Sequence, residues 1–299
     1  MSSGIARFLT PQQRQRLGRL MLQSRSVVEG TLAGRHRSPL RGISHEFAEH
    51  RAYIPGDDPK HLDWKVLART DRYYIRRYED ETNLRVYLIV DRSASMGYSS
   101  HSQTKFDYAC HLAAALGYVV VKARDAVGLY LYADELDEVI SARNSFAHLN
   151  NLLKRLETAR PAAATHTARA LHRVANDVHR RALIVVISDL LDEQDDVIKA
   201  FAHFRKQHHD VIVFQVLDPA EREFPFKSGI EFVDLETGET VLTDARALAA
   251  EYRRVFEEFL QRYRQACTEL KVDYRVADTR QPLDLFVREY LERRKKYTA

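Results

Sequence analysis

Residues 84–97 read LRVYLIVDRSASMG, and this stretch decides how the rest of the chain is interpreted. Apolar residues continue on both faces as far as Val90, which is typical of a central strand in a parallel sheet. The strand ends at Asp91, and side-chain hydroxyls follow two and four residues later, at Ser93 and Ser95. We expect these three side chains in a loop at the carboxyl end of the strand, where open α/β sheets bind ligands.

The chemistry of this loop predicts a cation site. One carboxylate and two hydroxyls are hard oxygen donors, which suit Mg²⁺ or a similar divalent cation, and octahedral geometry requires further ligands. Two later segments can supply them: Thr165 and Thr167 precede a helical pattern, and Asp189 ends the apolar stretch LIVVISD at residues 183–189. Since all three loops flank elements of one predicted sheet, they can converge on one ion.

Taken together, the three motifs resemble a known type of metal site. An Asp-x-Ser-x-Ser loop, a Thr that opens a helix and a strand ending in Ser-Asp are similar to the metal-ion-dependent adhesion site of von Willebrand factor A (VWA) domains. The resemblance assigns the following residues to the metal: Asp91, Ser93, Ser95, Thr165 and Asp189. The family's ligand is the first Thr of a T-x-T pair, so we expect Thr165 at the metal and Thr167 at the helix N-terminus.

A second resemblance covers residues 42–96. Residues 46–81 read EFAEHRAYIPGDDPKHLDWKVLARTDRYYIRRYEDE and are followed by VDRSASM. This text is similar to the DUF58 family, whose members join a short N-terminal segment to a VWA-like domain. The resemblance implies a DUF58-type segment over residues 1–82, packed on a VWA-like domain over residues 83–299.

The candidate ligands carry little negative charge. At most two carboxylates oppose a 2+ ion and the hydroxyls add none, so the ion stays electrophilic and can accept an Asp or Glu from another molecule. We therefore expect a metal-dependent protein-interaction module. The DUF58 resemblance implies that the partner is a MoxR-type AAA+ ATPase or its client, with this chain as adaptor or assembly factor.

The fold class follows from the order of the predicted elements. Strands are expected at 84–91, 126–133, 136–140, 183–188, 210–217 and 272–276, with a hairpin over 231–244. Helices are expected at 105–122, 145–157, 168–179, 247–270 and 282–295, and one more ends near residue 208. Because helices alternate with strands, we predict a doubly wound, mostly parallel α/β sheet with a small N-terminal helix and strand segment.

Ahead of this pattern the sequence is less regular. Thr10 followed by Pro11 predicts the start of a helix of about four turns, and residues 73–79 predict a strand beside or leading into the one that ends at Asp91. Trp64, the only tryptophan, is expected in a short buried helix, because a large aromatic side chain gains most from burial.

The positive charge is concentrated at the start of the chain. Eight arginines against one acid, Glu29, give residues 1–45 a formal charge of +7, which leaves −3 for the rest of a chain whose total is +4. Such an arm can meet nucleic acid, an acidic protein or a membrane surface. We prefer a solvated helix face, because no aromatic residues alternate with the arginines as single-strand binding would require.

Composition excludes several protein classes. The longest mainly apolar run, residues 112–121, is shorter than the roughly 18 residues of a membrane-spanning helix, and residues 1–10 lack the apolar region of a secretory signal. We expect a cytosolic protein without direct membrane insertion. Cys110 and Cys267 form no metal-binding pair and are expected as core thiols.

An enzyme is the rival interpretation. Haloacid-dehalogenase-like phosphohydrolases also place an Asp after the first strand of an α/β sheet, with a second Asp two residues later as general acid. Ser93 occupies that second position, and its hydroxyl cannot act as the acid at neutral pH. No Walker loop, Rossmann fingerprint or nucleophile elbow is present, so we expect no enzymatic activity.

Three further features compete with the predicted metal site. Arg92 lies in the same loop and can act as a resident cation in place of a metal. The acidic stretch LLDEQDD at residues 190–196 can form a second cluster, although acids in a first helical turn are favoured by the helix dipole. His203, His208 and His209 are close in sequence, but we expect them to be solvent-exposed because no pattern brings them together.

Overall fold

The computed structural model describes residues 4–15, 45–54, 62–70, 72–80, 84–162, 166–226, 230–235 and 238–298. These residues form two compact units. The smaller unit contains the described residues between 45 and 80, and the larger contains residues 4–15 together with those from 84 onward. The predicted domain boundary after residue 82 lies outside the described residues.

The secondary structure follows the predicted alternation closely. The described helices are α1 (Gly4–Phe8), α2 (described over residues 11–15), α3 (Trp64–Thr70), α4 (Lys105–Lys122), α5 (Phe146–Thr158), α6 (Thr167–Asp177), α7 (Gln194–Lys206), α8 (Pro219–Glu223), α9 (Ala245–Glu269) and α10 (Leu283–Thr298). The described strands are β1 (His45–Ala52), β2 (Tyr74–Asp80), β3 (Arg85–Asp91), β4 (Ala126–Tyr132), β5 (Leu136–Arg143), β6 (Leu183–Ser188), β7 (Asp210–Leu217), β8 (Ile230–Val233), β9 (Thr240–Thr243) and β10 (Asp273–Asp278).

A six-stranded sheet forms the centre of the larger unit. Its strand order is β10-β7-β6-β3-β4-β5, and every neighbouring pair is parallel except β4 and β5, which form an antiparallel hairpin. Strand β3 lies between β4 and β6 and is hydrogen-bonded to both. The prediction of a doubly wound, mostly parallel sheet is confirmed.

Both faces of this sheet are covered by helices. On one face, Val86, Leu88 and Val90 of β3 belong to a core that also contains residues of α1, α4, α5 and α10. On the other face, Ile89 packs in a second core with residues of α6, α7 and α9. A strand between two apolar layers must be apolar on both sides, which explains why the β3 sequence lacks the alternation of a half-exposed strand.

The strand order creates a switch point next to β3. After β3 the chain crosses through α4 to β4 on one side of the sheet, and it later returns to place β6 on the other side. The loops after β3 and β6 therefore leave the sheet in different directions and open a crevice at the carboxyl ends of these two strands. The motifs around Asp91 and Asp189 lie at the start of these two loops.

The start of the chain adds a short helix that the sequence did not predict. Ile5 and Phe8 of α1, together with Leu9, are buried in the core beside α4 and α5. The predicted start of the next helix is confirmed, since the Thr10 hydroxyl accepts the Gln13 N–H at 3.2 Å, and the Gln13 side chain accepts the Thr10 N–H at 2.8 Å. The rest of that predicted helix lies outside the described residues.

In the smaller unit, β1 and β2 form a separate antiparallel sheet, so β2 does not join or extend β3. The prediction that Trp64 is buried is wrong, because its exposed fraction is 63%. The residues just before it, Leu62 and Asp63, are the buried ones, and the Asp63 N–H donates to the Tyr74 carbonyl. Helix α3 is therefore attached through its start, and the next side chain faces solvent.

His209 corrects another prediction, since its side chain is buried rather than exposed. It lies just before β7, at the amino ends of β6 and β7. Its Nδ1 accepts the Ala182 N–H at 3.2 Å, which leaves Nε2 to donate to the Val178 carbonyl at 3.0 Å. Burial lowers the pKa of His209 below 6.5, so this imidazole joins two backbone groups in its neutral form.

The remaining elements agree with the sequence. Strands β8 and β9 form the predicted hairpin, in which Gly238 adopts a φ of +74° that a turn with a left-handed residue requires. Cys110 and Cys267 are buried free thiols, as predicted. Among the described residues, no helix has both the length and the apolar character needed to cross a bilayer.

Candidate metal site

Asp91 is the residue on which this site is centred. It is the last residue of β3 and is fully buried. Its Oδ1 accepts the Ser93 N–H at 2.8 Å, and its Oδ2 accepts the Ser188 hydroxyl at 2.6 Å and the Tyr132 hydroxyl at 3.2 Å. These hydrogen bonds fix the carboxylate at the switch point of the sheet.

The loop after Asp91 presents two hydroxyls side by side. A 3₁₀ turn covers Ala94–Gly97, and it brings the Oγ atoms of Ser93 and Ser95 to 3.0 Å from each other. In an octahedral Mg²⁺ site each ligand oxygen lies about 2.1 Å from the ion, so two neighbouring ligands are about 3.0 Å apart. The two hydroxyls are hydrogen-bonded to each other, and their separation also equals that of neighbouring ligands around one cation.

The end of β6 brings the second carboxylate to the same place. Ser188 bonds Asp91 directly, and the next residue, Asp189, is also fully buried. Leu190 then turns the chain sharply with a φ of +58°, and its N–H donates to the Ser188 hydroxyl at 2.9 Å. Asp189 therefore directly follows a residue that bonds Asp91, and its charge acts on the Asp91 carboxyl.

The threonine motif is described only in part. Thr165 lies outside the described residues, so its place at the metal stays a prediction. Thr167 is the first residue of α6, as predicted, and it is fully buried. Its Oγ1 is 3.4 Å from the Tyr132 hydroxyl, which also bonds Asp91. Thr167 is therefore linked to the site through Tyr132, a residue that the sequence analysis did not select.

The two carboxylates raise the proton affinity of the site. Burial, together with the charge of Asp189, raises the pKa of Asp91 from 3.8 to about 7, although hydrogen bonds from Ser188 and Ser93 oppose this shift. Burial and a neighbouring negative charge both disfavour the ionised form of the Asp91 carboxyl. A bound cation would remove this penalty, so the site favours positive charge.

One positive charge is already present, on a residue that the sequence did not reveal. Lys105, the first residue of α4, is fully buried, and its Nζ donates to Asp189 at 2.7 Å and to Glu221 of α8 at 2.5 Å. Burial alone would lower the pKa of Lys105, but the charges of Asp189 and Glu221 outweigh it and raise this pKa. Lys105 is therefore a permanent ammonium beside the candidate site.

Arg92 does not take this role, which corrects the idea of Arg92 as a resident cation. Its Nε donates to Asp137 at 2.6 Å, and its guanidinium also bonds the Arg160 carbonyl at 3.0 Å. Consecutive side chains at a strand end alternate between the two sides of the chain. With Asp91 facing the crevice, Arg92 is directed to the rim.

The acidic residues after Asp189 lie at helix N-termini and interact with them. Asp195 and Asp196 lie in the first turn of α7, as predicted from the helix dipole. The Asp192 carboxylate accepts the Ala168 N–H at 3.1 Å, which satisfies a backbone group in the first turn of α6. An open cleft of about 540 Å³ lies between these two helix starts and has both acidic and basic residues in its lining.

The described residues fit a hard divalent cation. No group of three or more His, Cys, Asp or Glu side chains in the described part of the chain could hold a metal ion by itself. Two hydroxyls, those of Ser93 and Ser95, lie 3.0 Å apart in the loop that follows the buried Asp91 carboxylate. Oxygen donors of this kind suit Mg²⁺ or Mn²⁺ better than softer metals.

The fold and the motifs together define the class of protein. A doubly wound sheet with Asp-x-Ser-x-Ser at its switch point and Ser-Asp on the neighbouring strand makes the larger unit a VWA-like domain. The chain belongs to the DUF58 family, whose model, described as "Protein of unknown function DUF58", matches residues 49–266. The resemblance stated from the sequence is confirmed.

Three mycobacterial proteins are related in sequence over most of the chain. Each is 29% identical over 233 residues, which is 76% of this chain and 72% of the relative. They are the uncharacterized proteins Mb1516 of Mycobacterium bovis and MT1527 and Rv1480 of two Mycobacterium tuberculosis strains.

Several solved structures are also similar to this chain. An aerotolerance-related membrane protein from Bacteroides fragilis has 17% identity and a TM-score of 0.46, covering 71% of this chain and 98% of its own. BatB from Bacteroides thetaiotaomicron has 16% identity and a TM-score of 0.46, with 71% and 99% covered. The SpRpn10 VWA domain has 11% identity and a TM-score of 0.43, with 69% and 94% covered.

Proposed function

We propose that this chain is a metal-dependent protein-interaction module that binds Mg²⁺, or another hard divalent cation, at a VWA-type adhesion site. One observation carries the proposal. The Ser93 and Ser95 hydroxyls lie 3.0 Å apart beside two buried carboxylates, Asp91 and Asp189, at the switch point of the sheet. Asp91, Ser93, Ser95, Thr165 and Asp189 are the proposed ligands, either directly or through water.

The charge of this ligand set suggests how a partner is recognised. A bound divalent ion would supply an electrophilic position that can accept a carboxylate. Lys105 neutralises part of the charge of Asp189, so the protein side of the site offers less than two full negative charges. A partner's Asp or Glu would complete the coordination and balance the remaining positive charge.

A binding role agrees better with the geometry than an enzymatic one. Both oxygens of Asp91 accept hydrogen bonds from Ser93, Ser188 and Tyr132, which positions the carboxylate but hinders its use as a nucleophile. The position two residues later is Ser93, whose hydroxyl cannot act as general acid. We therefore propose that the chain is not an enzyme.

The family suggests the kind of partner. DUF58 proteins resemble companions of MoxR-type AAA+ ATPases, so we propose such an ATPase or its client as the partner and the cytosol as the place of contact. The mixed charges of the cleft between α6 and α7 would give a partner segment a polar surface.

Two measurements test the proposal. Isothermal titration calorimetry should detect Mg²⁺ binding to the wild-type protein and none to Asp91→Ala, with circular dichroism showing that the variant is folded. A purified MoxR-type ATPase should then be captured with Mg²⁺ present and released by chelator, and Ser93→Asp should weaken capture by crowding the ion with charge. If Asp91→Ala binds Mg²⁺ with unchanged affinity, the proposed metal site is wrong. If chelator does not reduce capture of the ATPase, the metal does not bridge the two proteins.

A further inference from the structure

Lys105 occupies a position that ordinary helix chemistry disfavours. It is the first residue of α4, where the helix dipole repels positive charge. Its side chain is fully buried, and burying an ammonium is costly unless close partners compensate it. Two carboxylates do so, Asp189 at 2.7 Å and Glu221 at 2.5 Å. A residue that breaks two local preferences at a candidate site calls for a functional reason.

We infer that Lys105 is a built-in cation that competes with the divalent ion for Asp189 and thereby sets the metal affinity of the site. The inference rests on the proposed function, because it concerns the same ion. It gives Lys105 a positioning role: the ammonium holds the Asp189 carboxylate, and an incoming ion must share that carboxylate with it.

The contacts of Asp189 support this competition. Its Oδ2 accepts from Lys105, and its Oδ1 accepts the Leu191 N–H at 3.2 Å, so both oxygens already have partners. The backbone N–H cannot leave without moving the loop, whereas the ammonium has a second partner in Glu221. Lys105 can therefore release Asp189 and keep one ion pair, which makes it the partner that an ion would displace.

The charges also show how Lys105 compensates the acids around the site. Asp91, Asp189 and Glu221 are acids gathered within one buried or half-buried region, and Lys105 bonds two of them. A fixed positive charge close to a divalent ion weakens its binding by about tenfold even at the dielectric constant of water. Lys105 thus makes the resting site stable and its metal binding weak, so a partner's carboxylate adds a larger share of the final affinity.

The experiment compares Lys105→Met with the wild type in a Mg²⁺ titration by calorimetry. Methionine keeps the length of the apolar stem and removes the charge, so Mg²⁺ should bind at least about tenfold more tightly. The Tm of this variant should be lower than that of the wild type in chelator, and Mg²⁺ should raise it by more. Lys122→Met is the matched control, because it makes the same change at the exposed far end of the same helix and should leave both quantities unchanged.

The outcomes separate this inference from the proposed function. If folded Lys105→Met binds Mg²⁺ no more tightly than the wild type, the inference is wrong while the metal site stands. If neither protein binds Mg²⁺, both the proposed function and the inference are wrong. Should Lys105→Met not fold, Glu221→Gln decides: Lys105 then has only Asp189 as a carboxylate partner, so Mg²⁺ affinity should fall severalfold, and an unchanged affinity would overturn the inference.

Discussion

Polar side chains are buried at both ends of β6, and the two ends differ in how their charge is balanced. At the amino end, neutral His209 bonds the Ala182 N–H and the Val178 carbonyl, and every ring nitrogen has a partner. At the carboxyl end, Asp91 and Asp189 are buried near each other with Lys105 as a cation. The first arrangement is satisfied within the chain. The second gathers more acids than bases and raises the pKa of Asp91, which makes this end the candidate for a functional site.

The largest expected loss of stability comes from a substitution at the amino end of β6. His209→Ala removes a buried ring and leaves two backbone groups without partners, so unfolding should require about 4 kcal/mol less. Urea unfolding would measure the loss, and Mg²⁺ affinity should not change. His179→Ala, at an exposed position near the end of α6, is the control and should cost less than about 0.5 kcal/mol. A loss of Mg²⁺ binding in His209→Ala would show that the two ends are not independent.

A smaller change in stability is expected when pH is varied, because Asp91 at the carboxyl end of the sheet titrates. Because the pKa of Asp91 is raised from 3.8 to about 7, the folded state binds a proton that the unfolded state releases between these values. Stability from this group is therefore complete at low pH and lost as pH rises through 7, by about 3 kcal/mol between pH 5 and pH 8 in chelator. Unfolding curves at both pH values would measure the loss, and Asp91→Asn should abolish it. An equal slope in that variant would exclude Asp91 as the source.

The opposite sign is expected at the amino end. The pKa of His209 is lowered by burial, so below pH 6.5 the unfolded state takes up a proton more readily than the folded state. The stability from neutral His209 is therefore present above pH 6.5 and lost as pH falls. Measured in Asp91→Asn, unfolding should become easier from pH 7 to pH 5, and the additional change His209→Gln should reduce this trend. If His209→Gln does not change this pH dependence of stability, other titratable groups cause it.

The smallest effect concerns Arg92, which lies next to Asp91 in sequence but pairs with Asp137 at the rim. Partly exposed ion pairs of this kind contribute little, so Arg92→Ala should cost less than about 1 kcal/mol. Its effect on Mg²⁺ affinity should be much smaller than that of Lys105→Met. Equal effects of the two variants would mean that net charge, and not the contact with Asp189, controls the site.

The sequence predicted the sheet well because its physical signals are local. The apolar run before Asp91 marks a strand buried on both faces, and Thr104 starts α4 through a capping box with Asp107. The Asp-x-Ser-x-Ser loop and Asp189 needed only one further assumption, namely that parallel strands end at the same edge of the sheet.

The missed features depend on contacts between distant segments. Lys105 and Glu221 are 116 residues apart, and a lysine in a first helical turn would ordinarily be assigned to solvent. His209 is buried because β6 and β7 are neighbours, which its own sequence does not state. Trp64 was misplaced for a related reason, since size alone does not say which side of a short helix faces a core.

Leu190 holds the loop after β6 in one backbone conformation. Its φ of +58° costs of order 1 kcal/mol for a side chain other than glycine, yet the side chain is fully buried in the core and keeps the turn in place. Asp189 is thereby held between a rigid strand and a turn that cannot relax. A ligand that binds at Asp189 would meet a loop that is already ordered. Little of the binding free energy would therefore be lost as conformational entropy.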